Sequence, residues 1–153
     1  MNIQKNLQIF HSNSTEETRE IAKNFALDLK MNDIVVFNGD LGVGKTEFIR
    51  TICQFFGVEQ IVTSPSFTII NEYECFHFNT YISIYHIDLY RIKKQLELIE
   101  MGFQEIVSIK NSIKFIEWAE NSFDMLPTFN HKITITANSD NETSRTIQIE
   151  SFV

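Results

Sequence analysis

Hydrophobic side chains recur along the chain with two different spacings, and each spacing predicts one kind of element. A spacing of three and four residues predicts a first helix from Ser14 to about Lys30. Ser14-Thr-Glu-Glu has the form of a capping box, in which the serine accepts from the backbone and the second glutamate reaches back. The inner face of this helix would be formed by Ile21, Phe25 and Leu29.

Short apolar runs predict the strands. The strongest is Asp33–Asn38, whose β-branched and aromatic residues are typical of a buried strand. A helix is predicted at Glu47–Phe56, with Gly57 as its stop, and a shorter one at Gln95–Ile99. The remaining predicted strands cover residues 67–74, 81–88, 113–117, 132–137 and 146–152.

The connections between these runs indicate how the strands pair. Residues 77–80 are polar and predict a hairpin connection. Asn138–Thr143 consists of turn-forming residues and would join the last two strands into a C-terminal antiparallel hairpin. Because helices and strands are interspersed, the sequence predicts the α/β class, with a mixed, mostly parallel sheet flanked by helices.

Composition favours one domain over residues 1–153. The chain is 43% apolar and contains 14 phenylalanines. This is enough to bury one good core. Twenty acidic residues against 13 basic ones give a net charge of −7. That charge argues against a broad nucleic-acid surface, although a local basic patch stays open. Cys53 and Cys75 lie in apolar stretches and are expected to be reduced and buried.

Neither a targeting segment nor a metal-ligand pattern is expected. Polar residues interrupt any apolar core near the amino terminus, so no signal peptide is predicted. No apolar run approaches the roughly 20 residues that a membrane span needs. The four histidines are scattered without metal-ligand spacing. These features predict a soluble, cytoplasmic protein without a membrane partner.

The candidate chemistry is concentrated in residues 39–46. They read Gly-Asp-Leu-Gly-Val-Gly-Lys-Thr and fit the phosphate-loop (P-loop) pattern G-x-x-x-x-G-K-[ST] at every fixed position. The glycines let backbone N–H groups turn towards an anion. Lys45 would reach the outer phosphates, and the Thr46 hydroxyl would bind Mg²⁺. The following helix would direct its positive dipole end at the same phosphates.

The context of the motif favours a nucleotide site over its alternative, a glycine-rich surface turn before a helix. A predicted strand precedes the loop and a predicted helix follows it, which is the order a phosphate loop requires. The sequence therefore predicts a single P-loop NTPase-like domain that binds a nucleoside triphosphate.

A site that hydrolyses its nucleotide needs a carboxylate near the metal, at a strand end beside the loop. Asp88 ends the run Tyr81–Ile87 and is the leading candidate, the alternative being a cap on the following turn. Glu117 ends Ile113–Ile116 and could hold the metal through water or orient an attacking water. From the residues alone, an exposed edge position fits Glu117 equally well. Trp118 could contact a ligand or partner, or simply belong to the core.

Thr63–Thr68 lies between the phosphate-loop helix and the next predicted strand. In nucleotide switches a hydroxyl-bearing loop at this place senses the terminal phosphate. Ser66 and Thr68 carry the candidate hydroxyls. Spacing alone, however, favours a simple proline turn leading into a strand.

Taken in order, these segments resemble the bacterial ATPase family required for the threonylcarbamoyladenosine modification of tRNA next to the anticodon. The resemblance covers nearly the whole chain and runs through residues 15–18, 39–48, 64–68, 71–73, 86–91, 97–102 and 116–118. It implies a small Mg²⁺-dependent P-loop ATPase that works with two partner proteins, which make and transfer the threonylcarbamoyl group. ATP hydrolysis would reset that complex.

The same resemblance assigns site residues. The implied catalytic residues are Lys45, Asp88 and Glu117, and the implied magnesium ligands are Thr46, Asp88 and Glu117. The implied nucleotide-binding residues are Thr15, Gly39, Asp40, Leu41, Gly42, Val43, Gly44, Lys45, Thr46 and Glu47, and the implied switch loop contains Ser64, Ser66 and Thr68. Two positions depart from the usual pattern: Ser66 stands where a threonine is usual, and Ala119 where a proline often follows Glu-Trp. Neither departure removes a reacting group.

Two other protein classes share the phosphate loop. A small-metabolite kinase would clamp the transferred phosphoryl group with several arginines, and none of Arg19, Arg50, Arg91 and Arg145 is clustered with another. A guanine-nucleotide switch would carry an Asn-Lys-x-Asp motif, which is absent. Because no arginine is obviously placed at the phosphates, we expect slow intrinsic ATP turnover that partners stimulate. The acidic charge favours docking on protein, with tRNA contact indirect or local at most.

Overall fold

Seven strands form one sheet in the computed structural model, which describes residues 3–152. The strands are β1 (Lys5–Ser12), β2 (Ile34–Asn38), β3 (Ile70–His77), β4 (Thr80–Asp88), β5 (Ser112–Glu117), β6 (His131–Ala137) and β7 (Arg145–Phe152). The helices are α1 (Thr15–Ala26), α2 (Lys45–Phe55), α3 (Gln95–Met101) and α4 (Phe103–Val107), with a short 3₁₀ turn at Ala119–Ser122. The predicted α/β class is confirmed.

The spatial order of the strands is β1-β7-β6-β2-β5-β4-β3. The ladders that join β6, β2, β5 and β4 are parallel, and the outer ladders, including the predicted hairpin of β6 and β7, are antiparallel. Central parallel strands are covered on both faces, so their sequences are nearly continuous apolar runs. Because β2, β4 and β5 are parallel neighbours, their carboxyl ends meet at one edge of the sheet, beside the phosphate loop.

Alternate residues of β2 divide the core between the two faces of the sheet. Val35 and Phe37 pack into a larger cluster under α1 and α2, while Ile34 and Val36 pack into a smaller cluster that contains buried residues of α3 and α4. The Phe37 ring lies 5.9 Å from the ring of Phe115, centroid to centroid. Both cysteines are buried and unpaired within the described part of the chain, as predicted.

Helix α1 begins as predicted but ends earlier. The Ser14 side chain accepts from the backbone N–H of Glu17, while the Glu17 carboxylate accepts from the backbone of Asn13. The helix stops at Ala26, and not near Lys30, because the N–H groups of residues 27–29 donate to carbonyls three residues back and not four; Asn32, with a positive φ of 71°, then turns the chain into β2. Leu29 is nevertheless buried, as the helical spacing predicted.

Two boundaries after the phosphate-loop helix also differ from the predictions. β3 begins at Ile70, and not at Phe67, because Ile69 donates to the Pro65 carbonyl at 2.7 Å and closes a turn. The predicted connection at residues 77–80 contracts to Phe78 and Asn79, which have positive φ values of 50° and 60°. Left-handed residues are typical of tight two-residue hairpin turns. No helix within residues 3–152 is both long and apolar enough to cross a bilayer.

Candidate functional site

The phosphate loop connects β2 to α2 in a conformation that depends on its glycines. A Cβ on Gly39 would lie 2.6 Å from the Ile135 carbonyl oxygen, and its φ is 147°, so another residue would clash and be strained. Gly44 precedes α2 in a left-handed conformation with a φ of 119°. No side chain in residues 3–152 caps α2, so its first backbone N–H groups are open to an anion.

Lys45 lies folded back inside the loop. Its side chain is only 5% exposed, and its ammonium group donates to the Gly39 carbonyl. The same nitrogen lies 3.9 Å from Oε1 of Glu117 and 4.8 Å from the centroid of the Trp118 ring. These three contacts stabilise the positive charge of the ammonium group. In a nucleotide complex a phosphate oxygen would do the same.

Asp88 and Glu117 are register partners at the ends of β4 and β5. Both are buried, with 6% and 3% of their surface exposed, so Glu117 is not the exposed edge residue that its sequence position also allowed. Oδ1 of Asp88 accepts from the Tyr90 backbone N–H at 2.9 Å. Burial raises the pKa of the Asp88 carboxyl; the Tyr90 N–H opposes this shift, and the charge of Glu117 adds to it.

His86 is a site residue that the sequence reasoning missed. Its Nε2 lies 2.8 Å from Oε2 of Glu117, and its ring is fully buried. Its Nδ1 has no hydrogen-bond partner among the described residues. The position two residues before Asp88, on the same side of β4, is the signal that could have found it. His86 fixes the orientation of the Glu117 carboxylate.

These groups share one cleft of about 410 Å³. Its lining contains most of the predicted residues: Leu41, Gly42, Gly44, Lys45, Thr46, Glu47, Ser64, Ser66, Asp88, Glu117 and Trp118, together with Arg50. A smaller cavity of about 230 Å³ shares Gly42, Gly44 and Glu47 with the cleft and adds Thr15 and Val43. Thr15 was predicted as a nucleotide-binding residue, and it stands beside the phosphate loop.

Three predicted residues lie outside both linings. Gly39 sits behind the cleft, under the ammonium group of Lys45, and Asp40 is exposed. Thr68 is turned away, because its hydroxyl donates to Oδ1 of Asn71 at 2.9 Å. The two hydroxyls of the switch loop that do line the cleft, on Ser64 and Ser66, lie 2.7 Å apart.

Two arginines that are far apart in sequence meet on one carboxylate beside the phosphate loop. Arg19 of α1 donates from Nε to Oε1 of Glu47 at 2.7 Å, and Arg50 donates to Oε2 of the same carboxylate. Arg145 donates to the Val43 carbonyl at 2.9 Å. Burial alone raises the pKa of Glu47, but the two arginines together lower it below its usual value. The sequence did not indicate that Arg50 would line the cleft, where it is engaged by Glu47.

Trp118 has the backbone strain that often marks functional sites. Its φ is 58°, a left-handed conformation that is rare for a bulky residue. Its ring lies 5.0 Å from the Tyr90 ring, and its indole N–H is buried without an acceptor in the described chain. Because Trp118 lines the cleft, it is available to a ligand and is not only a core residue.

The oxygen donors at the cleft suit a hard divalent cation. One hydroxyl and two carboxylates, from Thr46, Asp88 and Glu117, line it, and Mg²⁺ is bound in proteins by such oxygens together with substrate phosphates and water. Within residues 3–152, no group of three or more histidine, cysteine, aspartate or glutamate residues could hold a metal by itself. The donor set fits a metal that enters with a phosphate ligand.

Comparison with known proteins gives one family. The family model described as "Threonylcarbamoyl adenosine biosynthesis protein TsaE" matches residues 12–147. A protein of Rickettsia bellii named "tRNA threonylcarbamoyladenosine biosynthesis protein TsaE" is 46% identical over 117 residues, which are 76% of this chain and 77% of the relative. A Bacillus subtilis protein of the same name is 35% identical over 127 residues, 83% of this chain and 76% of the relative. The crystal structure of Bacillus subtilis YdiB matches with a TM-score of 0.74 and 28% identity, covering 97% of this chain and 87% of YdiB.

Proposed function

The chain belongs to the TsaE family of tRNA threonylcarbamoyladenosine biosynthesis proteins, and from this membership we propose that it binds and hydrolyses ATP in that pathway. Residues 39–47 and Thr15 would bind the nucleotide, and Thr46, Asp88 and Glu117 would hold Mg²⁺. The hydrolysis would reset a complex formed with two partner proteins that make and transfer the threonylcarbamoyl group.

One observation carries this proposal. An uncapped helix N-terminus, the Lys45 ammonium group and two register-paired carboxylates face a single cleft. Backbone N–H groups and a lysine bind phosphate oxygens, whereas paired carboxylates do so only through a cation. This combination is what a metal–nucleotide complex requires.

Each residue at the cleft has its own role in the proposed hydrolysis. Lys45 exchanges the Gly39 carbonyl and Glu117 for the outer phosphates, and the N–H groups of residues 42–46 bind the phosphates from the helix end. Glu117, oriented by His86, would accept the proton of the attacking water or help to hold the metal. Mg²⁺ supplies the positive charge that neutralises the β- and γ-phosphates. Trp118 covers the Lys45 side of the cleft.

Intrinsic turnover is expected to be slow, with stimulation by the two partner proteins. Arg50 is the only arginine on the cleft wall within residues 3–152, and it is engaged by Glu47, so any role at the terminal phosphate requires that it first leave this carboxylate. A net charge of −7 favours docking on proteins, with tRNA contact indirect or local at most.

The test is binding and hydrolysis of ATP and GTP by the purified chain with Mg²⁺, with and without the partner proteins. We expect ATP to be bound, slow release of phosphate into solution, and faster release with the partners. Lys45→Ala should abolish turnover, because the outer phosphates lose their only direct ammonium contact. A preference for GTP, phosphate transferred to a metabolite, or full activity in isolation would contradict the proposal.

A further inference from the structure

Arg50 connects the phosphate-loop helix to the segment that carries the switch hydroxyls. It lies in the second turn of α2 and donates from Nη1 to the Glu47 carboxylate. Its Nε donates at 3.0 Å to the carbonyl of Val62, a buried residue that directly precedes the Thr63–Thr68 segment. One guanidinium therefore contacts both the loop end of α2 and the start of the switch segment.

The two contacts of Arg50 are of different kinds. The Val62 carbonyl is a backbone group of a buried residue, and it fixes one edge of the guanidinium plane. Glu47 is a side-chain carboxylate, and the Arg50 side chain is 36% exposed, so this second contact faces the cleft and can be exchanged. A guanidinium offers five donors in a rigid plane and binds phosphate and carboxylate oxygens in the same geometry. A phosphate oxygen in the cleft can therefore take the place of the Glu47 carboxylate.

We propose that Arg50 exchanges Glu47 for the terminal phosphate of bound ATP and thereby ties the switch segment to that phosphate. The inference rests on the proposed function. Because Nε stays on the carbonyl of buried Val62, a guanidinium bound to the phosphate links that phosphate to the start of the segment, orders residues 63–66 and brings the Ser64 and Ser66 hydroxyls towards the phosphate. ADP lacks the terminal phosphate, so with ADP the guanidinium stays on Glu47 and the segment stays loose.

The test compares Mg²⁺ complexes of ADP and of a non-hydrolysable ATP analogue by calorimetry. A charge-assisted hydrogen bond is lost in Arg50→Ala, so affinity for the analogue should fall on the order of tenfold or more, with ADP affinity nearly unchanged. Hydrogen exchange of residues 62–68 supplies a second readout. The wild-type segment should be protected by the analogue and not by ADP, and Arg50→Ala should lose this difference.

Two further variants separate phosphate binding from structural support. Arg50→Lys keeps the charge but cannot hold the Val62 carbonyl and a phosphate together, so it should recover part of the analogue affinity without the protection of residues 62–68. Arg19→Ala is the matched control, because Arg19 holds the same carboxylate and does not line the cleft; its ratio of analogue to ADP affinity should stay within about twofold of the wild type.

Three results would overturn the inference: an unchanged affinity ratio in Arg50→Ala, the same loss in Arg19→Ala, or full protection of the segment without Arg50. Each would leave ATP binding itself standing. If the wild-type chain bound neither nucleotide, the proposed function would fail first and the inference with it. Thermal unfolding of each variant without nucleotide is the folding control, and because the Arg50 side chain is 36% exposed, its replacement should leave the Tm nearly unchanged.

Discussion

Replacement of Asp88 by asparagine should stabilise the nucleotide-free protein and remove its response to Mg²⁺ and ATP. Asp88 is buried at the end of β4, where it faces Glu117 on β5, Lys45 on α2 and His86 on its own strand. Asparagine retains the oxygen that accepts from the Tyr90 N–H at 2.9 Å. The substitution therefore removes a charge and leaves the local hydrogen bond in place.

The magnitude follows from the opposing contacts of this carboxylate. Burial and the neighbouring Glu117 disfavour its charged form and raise its pKa, whereas the Tyr90 N–H, His86 and Lys45 favour it. Asparagine keeps the hydrogen bond from the Tyr90 N–H. The free energy of unfolding should therefore rise by about 1–2 kcal/mol, which is typical when a functional constraint on stability is removed. In a chain of this size each kcal/mol moves the Tm by about 2–4 °C, so a rise of roughly 2–8 °C is expected.

The assay is thermal unfolding at several pH values, with and without Mg²⁺ and ATP. A raised folded-state pKa means that Asp88 lowers stability as the pH rises from its unfolded value of about 4. The advantage of Asp88→Asn should therefore be largest at pH 7 and shrink towards pH 4. Asp140→Asn, at an exposed position in the β6–β7 loop, is the control and should change little. A variant that is less stable at pH 7, or that is still stabilised by Mg²⁺ and ATP, would refute this reasoning.

Two further substitutions test separate parts of the structure. Glu117→Ala should keep much of the nucleotide affinity measured by calorimetry and lower ATP hydrolysis by about 10²–10⁴-fold; normal turnover would exclude a metal or base role. Lys114→Met should raise stability at pH 7, because burial lowers the pKa of this fully buried lysine to about 8, with Lys110 adding to the shift. In the unfolded chain Lys114 keeps its proton up to about pH 10.4, whereas in the folded chain it loses it near pH 8. The free energy of unfolding of the wild type, measured in urea, should therefore rise between pH 8 and 10. The variant should lose this rise, and an unchanged pH profile would contradict the assignment.

The fold was predictable where burial imposes a pattern on the sequence. β2 and β5 are buried on both faces and give continuous apolar runs, and the phosphate loop between β2 and α2 is specified by fixed residues. β1 was missed because it pairs only with β7 at one edge of the sheet, and Leu7 and Ile9 are exposed there. Its apolar residues Leu7 and Ile9 lie on the exposed side, while only Phe10 and Ser12 reach the core side, so the pattern does not indicate a half-buried strand. α4 was missed because it is a five-residue helix directly after Gly102.

The site was predictable where a motif or a strand end fixes a residue, as for Lys45 and Asp88. Contacts between distant residues were not. His86 meets Glu117 across 31 positions of sequence, and the Arg50 contact with Val62 spans 12. Such pairs depend on strand register and on the path of a loop, which single-residue patterns do not encode. Thr68 shows the converse: its residue type suits a switch hydroxyl, but a local bond to Asn71 that the sequence did not indicate holds it outside the cleft lining.

The charges that line the cleft bear on how the proposed nucleotide and its metal would bind. Two cations, Lys45 and Arg50, line it against three carboxylates, those of Glu47, Asp88 and Glu117. Each cation is already in contact with one of these carboxylates, so a free triphosphate would meet a surface that is negative overall. A divalent ion held by the carboxylates would reverse this balance by supplying positive charge, and Lys45 and Arg50 would then be available to the phosphates. We therefore expect the cleft to bind a metal–nucleotide complex in preference to the bare nucleotide.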